Sequence, residues 1–240
     1  MKMKMAARGF AALATVCLFT AAAWAAPQEE NLGAGRSELN GDSVEYSVKT
    51  GLMTATGNVV LRYEDGVATA DFASYNTKDS TGTLTGGVVA DKGDMHIVCD
   101  RVDILSNTQI SAVGNVHARQ KDKSVDAPQI DYDSGEQYVR LPSGGTLGAA
   151  EGTFTADYME GWMRDNRCRA VGNAHVISPP KDFEGGGDEA EYFGKESGKL
   201  VLTGNAWAVQ GNHTLKSGRL TVYLDERGEA EAVPDEKEEK

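Results

Sequence analysis

The chain has 240 residues, 40% of them hydrophobic but only 7% aromatic, three cysteines, and a formal net charge of −12 at pH 7. So acidic a surface argues against nucleic acid and anionic membrane surfaces as partners held by charge. With few large rings, an extensive interior must be lined mainly by Val, Ala and Leu.

Lys2, Lys4 and Arg8 form a basic start, Phe10 to Ala23 is an apolar run, and Ala23-Trp24-Ala25 has the small-x-small form of a cleavage site. Residues 1–25 are therefore expected to be a signal peptide cut after Ala25, and residues 26–34 a linker. The competing reading is an uncleaved single-span anchor, for which about 17 apolar residues is short. Cys17 lacks the small residue before it that lipoprotein processing needs. Loss of Lys2, Lys4 and Arg8 takes the charge from −12 to −15.

Residues 35–233 repeat. Thr56-Gly57-Asn58-Val59 returns as Val113-Gly114-Asn115-Val116, Val171-Gly172-Asn173-Ala174 and Thr203-Gly204-Asn205-Ala206. Degenerate copies at Gly86-Gly87-Val88 and Gly144-Gly145-Thr146 fall halfway, so the glycines 57, 86, 114, 144, 172 and 204 step by about 29 residues. A second landmark, small then polar, lies before a residue that is usually aromatic or aliphatic. It runs Gly41-Asp42 to Tyr46, Ala70-Asp71 to Tyr75, Cys99-Asp100 to Ile104, Ala127-Pro128 to Tyr132, Ala156-Asp157 to Gly161, Asp188-Glu189 to Phe193, and Gly218-Arg219 to Tyr223. A fixed period of this size means one small unit stacked on the next, which excludes most enzyme folds.

Each half-unit reads as a strand. After each glycine, apolar residues alternate with others: Val59 and Leu61, Val88 and Ala90, Val116 and Ala118, Ala174 and Val176, Ala206 and Ala208, with Leu220 and Val222 in the last unit. Period two places these twelve on one inward face. Val60, Val89, His117, His175 and Trp207 then point outward. Turn chemistry separates the runs at Glu64-Asp65-Gly66, Asp79-Ser80-Thr81-Gly82, Asp133-Ser134-Gly135, Glu196-Ser197-Gly198 and Glu226-Arg227-Gly228. The expected fold is all-β: about seven two-strand units of roughly 29 residues in an elongated repeat β-jelly roll, with an apolar groove between two antiparallel sheets. Ala-rich faces are also able to pack closely and leave no groove.

Catalytic chemistry is not legible. His117 and His175 take equivalent places in two repeats, but strands stacked two spacings apart, roughly 10 Å, are too distant to share one zinc. Acid pairs such as Asp131 with Asp133, or Asp188 with Glu189, have no setting that singles them out, so no enzyme, metal or cofactor is expected. Gly185-Gly186-Gly187-Asp188 has a faint likeness to a calcium-binding glycine repeat but occurs once. Cys99 and Cys168 either pair in an oxidising compartment or serve as small buried apolar residues.

Two stretches carry a resemblance: Leu202-Thr203-Gly204-Asn205-Ala206, and Leu215 to Leu224 followed by Ala230 to Val233. With the paired landmarks Ala70-Asp71 to Tyr75 and Gly57-Asn58-Val59, they resemble OstA-like, LptA-type periplasmic lipopolysaccharide-transport proteins, over roughly residues 35–233. The resemblance implies a jelly roll open along one side and at both ends. It implies a passive periplasmic bridge that holds the acyl chains of lipopolysaccharide between its sheets, with the twelve inward residues as the lipid-facing set. The partners it implies are an inner-membrane-anchored protein of similar fold and the jelly-roll domain of an outer-membrane translocon, with head-to-tail self-association through open sheet edges. The number of repeats suggests a bridge somewhat longer than the simplest of the family.

Residues 234–240 are expected to be a disordered acidic tail that limits strand addition at that end. Two other readings compete with the bridge: a membrane-anchored or translocon-associated assembly protein of the same fold, and a secreted structural or polysaccharide-binding β-solenoid. Sugar-binding solenoids tend to carry outward aromatic rows, and Trp207 does not recur from unit to unit.

Overall fold

The computed structural model describes residues 3–4 and 37–233, apart from 64–65, 151, 166, 194–196, 198 and 224–228. The cleavage site after Ala25, the linker and the tail from 234 therefore lie outside the described residues. The strands are β1 (Met3–Lys4), β2 (Ser37–Asn40), β3 (Ser43–Ser47), β4 (Leu52–Tyr63), β5 (Gly66–Asn76), β6 (Thr81–Lys92), β7 (Met95–Ile104), β8 (Gln109–Gln120) and β9 (Lys123–Asp133). They continue as β10 (Tyr138–Leu141), β11 (Gly145–Ala149), β12 (Gly152–Ala156), β13 (Tyr158–Trp162), β14 (Arg167–Ser178), β15 (Phe183–Phe193), β16 (Lys199–Gln210), β17 (His213–Tyr223) and β18 (Glu229–Val233). The only helical element among the described residues is one 3-10 turn at Pro179–Lys181. The described residues fall into two compact bodies. One lies within Ala21–Lys121 and Val125–Val139; the other comprises Arg140–Lys240 with Met1–Thr20 and Asp122–Ser124.

In both bodies each long strand pairs antiparallel with the next in sequence, and every long pairing shifts register near its middle. Thr56 faces Phe72 and Val59 faces Ala70, so Gly57 and Asn58 together oppose the single residue Asp71. This two-against-one bulge recurs where Gly172-Asn173 opposes Asp188 and where Gly204-Asn205 opposes Gly218. The repeated tetrapeptide is therefore a stacked line of bulges.

Why glycine and asparagine stand there is clearest at Gly114. Its φ is +80°, a left-handed conformation that costs an L side chain, and a Cβ would come under 3.0 Å from the Asp100 carboxylate. Asn115 follows at φ +46°, a conformation asparagine tolerates, and its Nδ2 donates to Asp100 Oδ2 at 3.0 Å. The same link joins Asn58 to Asp42, Asn173 to Asp157 and Asn205 to Asp188, at 2.7–3.2 Å. The "polar" half of the second landmark is thus a carboxylate that caps a left-handed Gly-Asn pair on the next strand.

Two landmarks need correction. The residue equivalent to Asp157 is Asp188, not Glu189, and in the last repeat it is Gly218, not Arg219. The inward residue four positions on is then Tyr192 or Val222, 6% and 3% exposed, while Phe193 and Tyr223 face outward. The cause is local. On strands that carry the Asp, the bulge partner occupies an extra step, and the inward phase flips from Ala70 to Ala73 and from Cys99 to Val102. Extending strict alternation through Asp188 selects Phe193 in error. At Gly144-Gly145 the repeat does not bulge. There the strand breaks after Leu141, and Gly144 donates its N–H back to the Leu141 carbonyl at 3.1 Å.

The line of bulges divides each long strand into two halves, and both halves contribute to one interior. In the first body a single cluster joins Ala55, Ala73, Leu84 and Val102 from one side of the line to Val59, Ala68, Val88, Cys99 and Val116 from the other. Apolar faces turned toward each other across a fold line give the layered arrangement of a β-jelly roll, as the period predicts.

Candidate functional site

Eleven of the twelve inward residues predicted from the sequence are buried. Val59, Val88, Ala90, Val116 and Ala118 line the first body, and Ala174, Val176, Ala206, Ala208, Leu220 and Val222 the second, all at 0–5% exposure. Leu61 is partly buried against the same cluster as Val59. In the first body these residues form rows across the ladder: Leu39 faces Leu61, Leu61 faces Ala68, Ala68 faces Ala90, Ala90 faces Ile97, and Ile97 faces Ala118. A row of this kind is apolar along its whole length and makes no use of side-chain hydrogen bonds.

The sequence reading found only half of this interior. It missed the residues on the other side of the bulges, Ala55, Ala73, Leu84 and Val102 in the first body and Met159, Ala170, Ala190 and Leu202 in the second. Alternation carries their signal too, but only after the phase is reset at each Asp.

Both cysteines of residues 35–233 belong to the inward face, and neither is in a disulfide. Cys99 is buried, and burial pushes its thiol up to about 11. Cys168 faces Gly161 on one side and buried Tyr192 on the other.

The outward positions behave differently. His117 is exposed on β8 and binds Asp126 Oδ1 at 2.5 Å, and His175 on β14 binds Glu184 Oε1 at 2.8 Å. Each histidine has a carboxylate partner on the neighbouring strand, and no group of three metal-binding side chains occurs among the described residues. In the second body outward aromatics do recur, against expectation: Trp162, Phe193 and Tyr223 end β13, β15 and β17, whereas β5 and β7 of the first body end on Asn76 and Ile104. Arg167 lies between the first two, 5.0 Å from the Trp162 ring and 5.7 Å from that of Phe193, and Lys199 is 5.2 Å from Phe193. Cations thus lie over the rings of Trp162 and Phe193.

The first strands of the first body leave apolar groups uncovered. Val44 on β3 faces fully buried Ala55, so it continues the inward row, yet it is 49% exposed, with Tyr46 at 56% and Val48 at 80%. Among the described residues, the row runs out along β3 without a cover.

Residues 67–167 match a family described as "LptA/(LptD N-terminal domain) LPS transport protein". No curated protein matches the chain. Among solved structures, the crystal structure of LptH, the LptA-homologous periplasmic component of the lipopolysaccharide transport device of Pseudomonas aeruginosa, aligns at 15% identity. That alignment covers 43% of this chain and 80% of LptH, with a TM-score of 0.39.

Proposed function

We propose, starting from a chain that resembles the OstA-like lipopolysaccharide-transport family and matches it over residues 67–167, that this protein is a periplasmic carrier that takes lipid acyl chains between its two inner faces. The observation that carries the reading is the pair of inner faces built mainly from Ala, Val and Leu, turned toward each other and, among the described residues, without a buried charged side chain. The driving force is burial of alkyl chain, about 0.8 kcal/mol per CH₂ removed from water. The acidic surface contributes no attraction toward lipid phosphate, so the affinity comes from the interior. Small side chains suit a site that is closed when empty, because faces lined mainly by Ala, Val and Leu approach closely, and the buried rings Phe154, Phe183 and Tyr192 are confined to the second body.

Handover to partners follows from the edge. Val44 and Tyr46 extend the inward face to a strand whose ladder partner among the described residues is β4, with exposed Val48 just beyond it, which supports addition of a strand from a protein of similar fold, or from another copy of this chain. An inner-membrane-anchored relative and the jelly-roll domain of an outer-membrane translocon are the partners of this reading. No step of it involves catalysis.

The test is photocrosslinking to lipopolysaccharide, with the crosslinker at Val116 and Ala174 and, as controls, at His117 and His175. Adducts from the first pair alone support the carrier. Equal labelling of both pairs, or no adduct at any position, overturns it. An intact N-terminus at Met1 in protein purified from the envelope would instead favour a membrane-anchored assembly protein, and a start at Ala26 the exported carrier.

A further inference from the structure

The triple glycine of β15 and the lone outward Trp207 of β16 belong together. Gly186 pairs with His175 on one side and with Trp207 on the other. A Cβ on Gly186 would lie 3.2 Å from the indole Nε1 and 3.5 Å from Cε2, and 2.5 Å from the Ala174 carbonyl oxygen. The indole therefore lies across the outer surface of the sheet, over the place where residue 186 has no side chain. Gly186 is buried beneath it, Gly185 faces the interior beside Phe183 and Leu202, and Trp207 keeps part of its surface open. Glycine in a strand is unfavourable unless something must come close, and here what comes close is an aromatic ring.

Polar groups surround this ring. His175 sits with its ring centroid 5.6 Å from that of Trp207, at an interplanar angle of 40°, and is held by Glu184 at 2.8 Å. Lys216 pairs directly with Trp207 on the far side and is exposed. A ring lying over the sheet beside an imidazole–carboxylate pair, with Lys216 opposite it in the ladder, differs from the Trp162–Arg167–Phe193 row, where a guanidinium lies over both rings.

We propose that Trp207 on its glycine seat is a binding platform for a pyranose ring. The apolar C–H face of the sugar stacks on the open face of the indole, and its hydroxyls bond to Glu184, His175 and Lys216. The site is on the outer surface, whereas Ala206 and Ala208, the neighbours of Trp207 on β16, are buried inward. The proposal deepens the carrier reading: acyl chain inside, saccharide outside. Its chemistry requires only the sugar, which either belongs to a glycolipid or comes free of lipid.

The experiment uses the full chain labelled with ¹⁵N at tryptophan. The first probe is the lipid-free oligosaccharide released from lipopolysaccharide by mild acid, and the second is intact lipopolysaccharide. The expected result is a saturable shift of the Trp207 indole N–H with no change at Trp162, and at least a tenfold weaker response in His175→Ala with Lys216→Ala. Trp207→Leu keeps an apolar cover over the glycines and should abolish binding of the oligosaccharide while leaving the circular dichroism spectrum unchanged. A shift only with intact lipopolysaccharide assigns the site to the glycolipid, and a shift with both assigns it to the sugar alone. No shift at Trp207 with either probe, or undiminished binding by Trp207→Leu, overturns the proposal. Because the oligosaccharide has no acyl chain, this outcome is independent of crosslinking at Val116 and Ala174, so either proposal is able to fail alone.

Discussion

Replacing Gly114 by alanine tests the bulge line directly. Two costs are separable. The first is conformational: at φ +80° an L side chain is strained by about 1–2 kcal/mol. The second is a collision. The new Cβ would meet the Asp100 carboxylate at under 3.0 Å, so the carboxylate must move, and the bond from Asn115 Nδ2 at 3.0 Å goes with it. Loss of that bond adds about 1 kcal/mol. The expected total is about 2–3 kcal/mol, seen as a fall of about 1 M or more in the urea midpoint. Gly93 supplies the control, because it has φ +55° but nothing within 4 Å of the point where a Cβ would stand. Gly93→Ala should therefore cost only the conformational part, about 1 kcal/mol. Asp100→Gly removes the same bond from Asn115, so adding it to Gly114→Ala should cost less than the sum of the two single losses. Equal losses for Gly114→Ala and Gly93→Ala, or strictly additive losses in the double variant, would refute the view that Asp, Gly and Asn act as one corner.

Three further outcomes are expected. Cys99, buried and with its thiol pushed up to about 11, should react with a maleimide at least a hundredfold more slowly in native protein than in urea, and equal rates would place it outside the closed interior. Asp133 is held below the usual carboxylate range, first by the hydrogen bond from Gln109 and then by the backbone N–H groups of Glu136 and Gly135. Its folded value is depressed, so its contribution is complete above the ordinary pKa of about 3.9 and is lost as pH falls through the folded value. Asp133→Asn should therefore flatten the decline of the urea midpoint below about pH 4, and an unchanged slope would contradict this. Val44→Lys with Tyr46→Lys places charge on the open edge strand and should weaken self-association in sedimentation runs without altering the melting temperature.

Much of this fold was legible because its period is long and its motifs are short. Gly57-Asn58 and its copies point to the antiparallel order and to eleven buried positions from Val59 to Val222, whereas about seven two-strand units falls short of the eighteen strands. What alternation could not supply was phase across a bulge. One extra residue turns a strand over, so the landmark read as Asp188-Glu189 to Phe193 falls one residue out of step, and the buried residue is Tyr192. For the same reason the interior N-terminal to each glycine, Ala55 and Leu84 among it, was overlooked. The carboxylate of the second landmark was visible as a residue type, but its link to an asparagine on the next strand is a tertiary contact that sequence does not announce. The seat of Trp207 was hidden similarly: the triple glycine and the tryptophan were each noticed, and only the pairing of Gly186 with Trp207 joins them.

The uniformity of the Asp and Gly-Asn corners has a cost in folding. The corners at Asp42, Asp100, Asp157 and Asp188 fit one another, so a strand that pairs one whole repeat out of step at these places still finds a carboxylate opposite a left-handed pair. Such a chain needs marks that tell one repeat from the next. The irregular places serve as these marks: Gly87 where others have asparagine, Pro128 where others have an aspartate with an N–H to give, the break after Leu141, and a glycine seat that only the strand carrying Trp207 fills. The departures from the repeat are what make it countable.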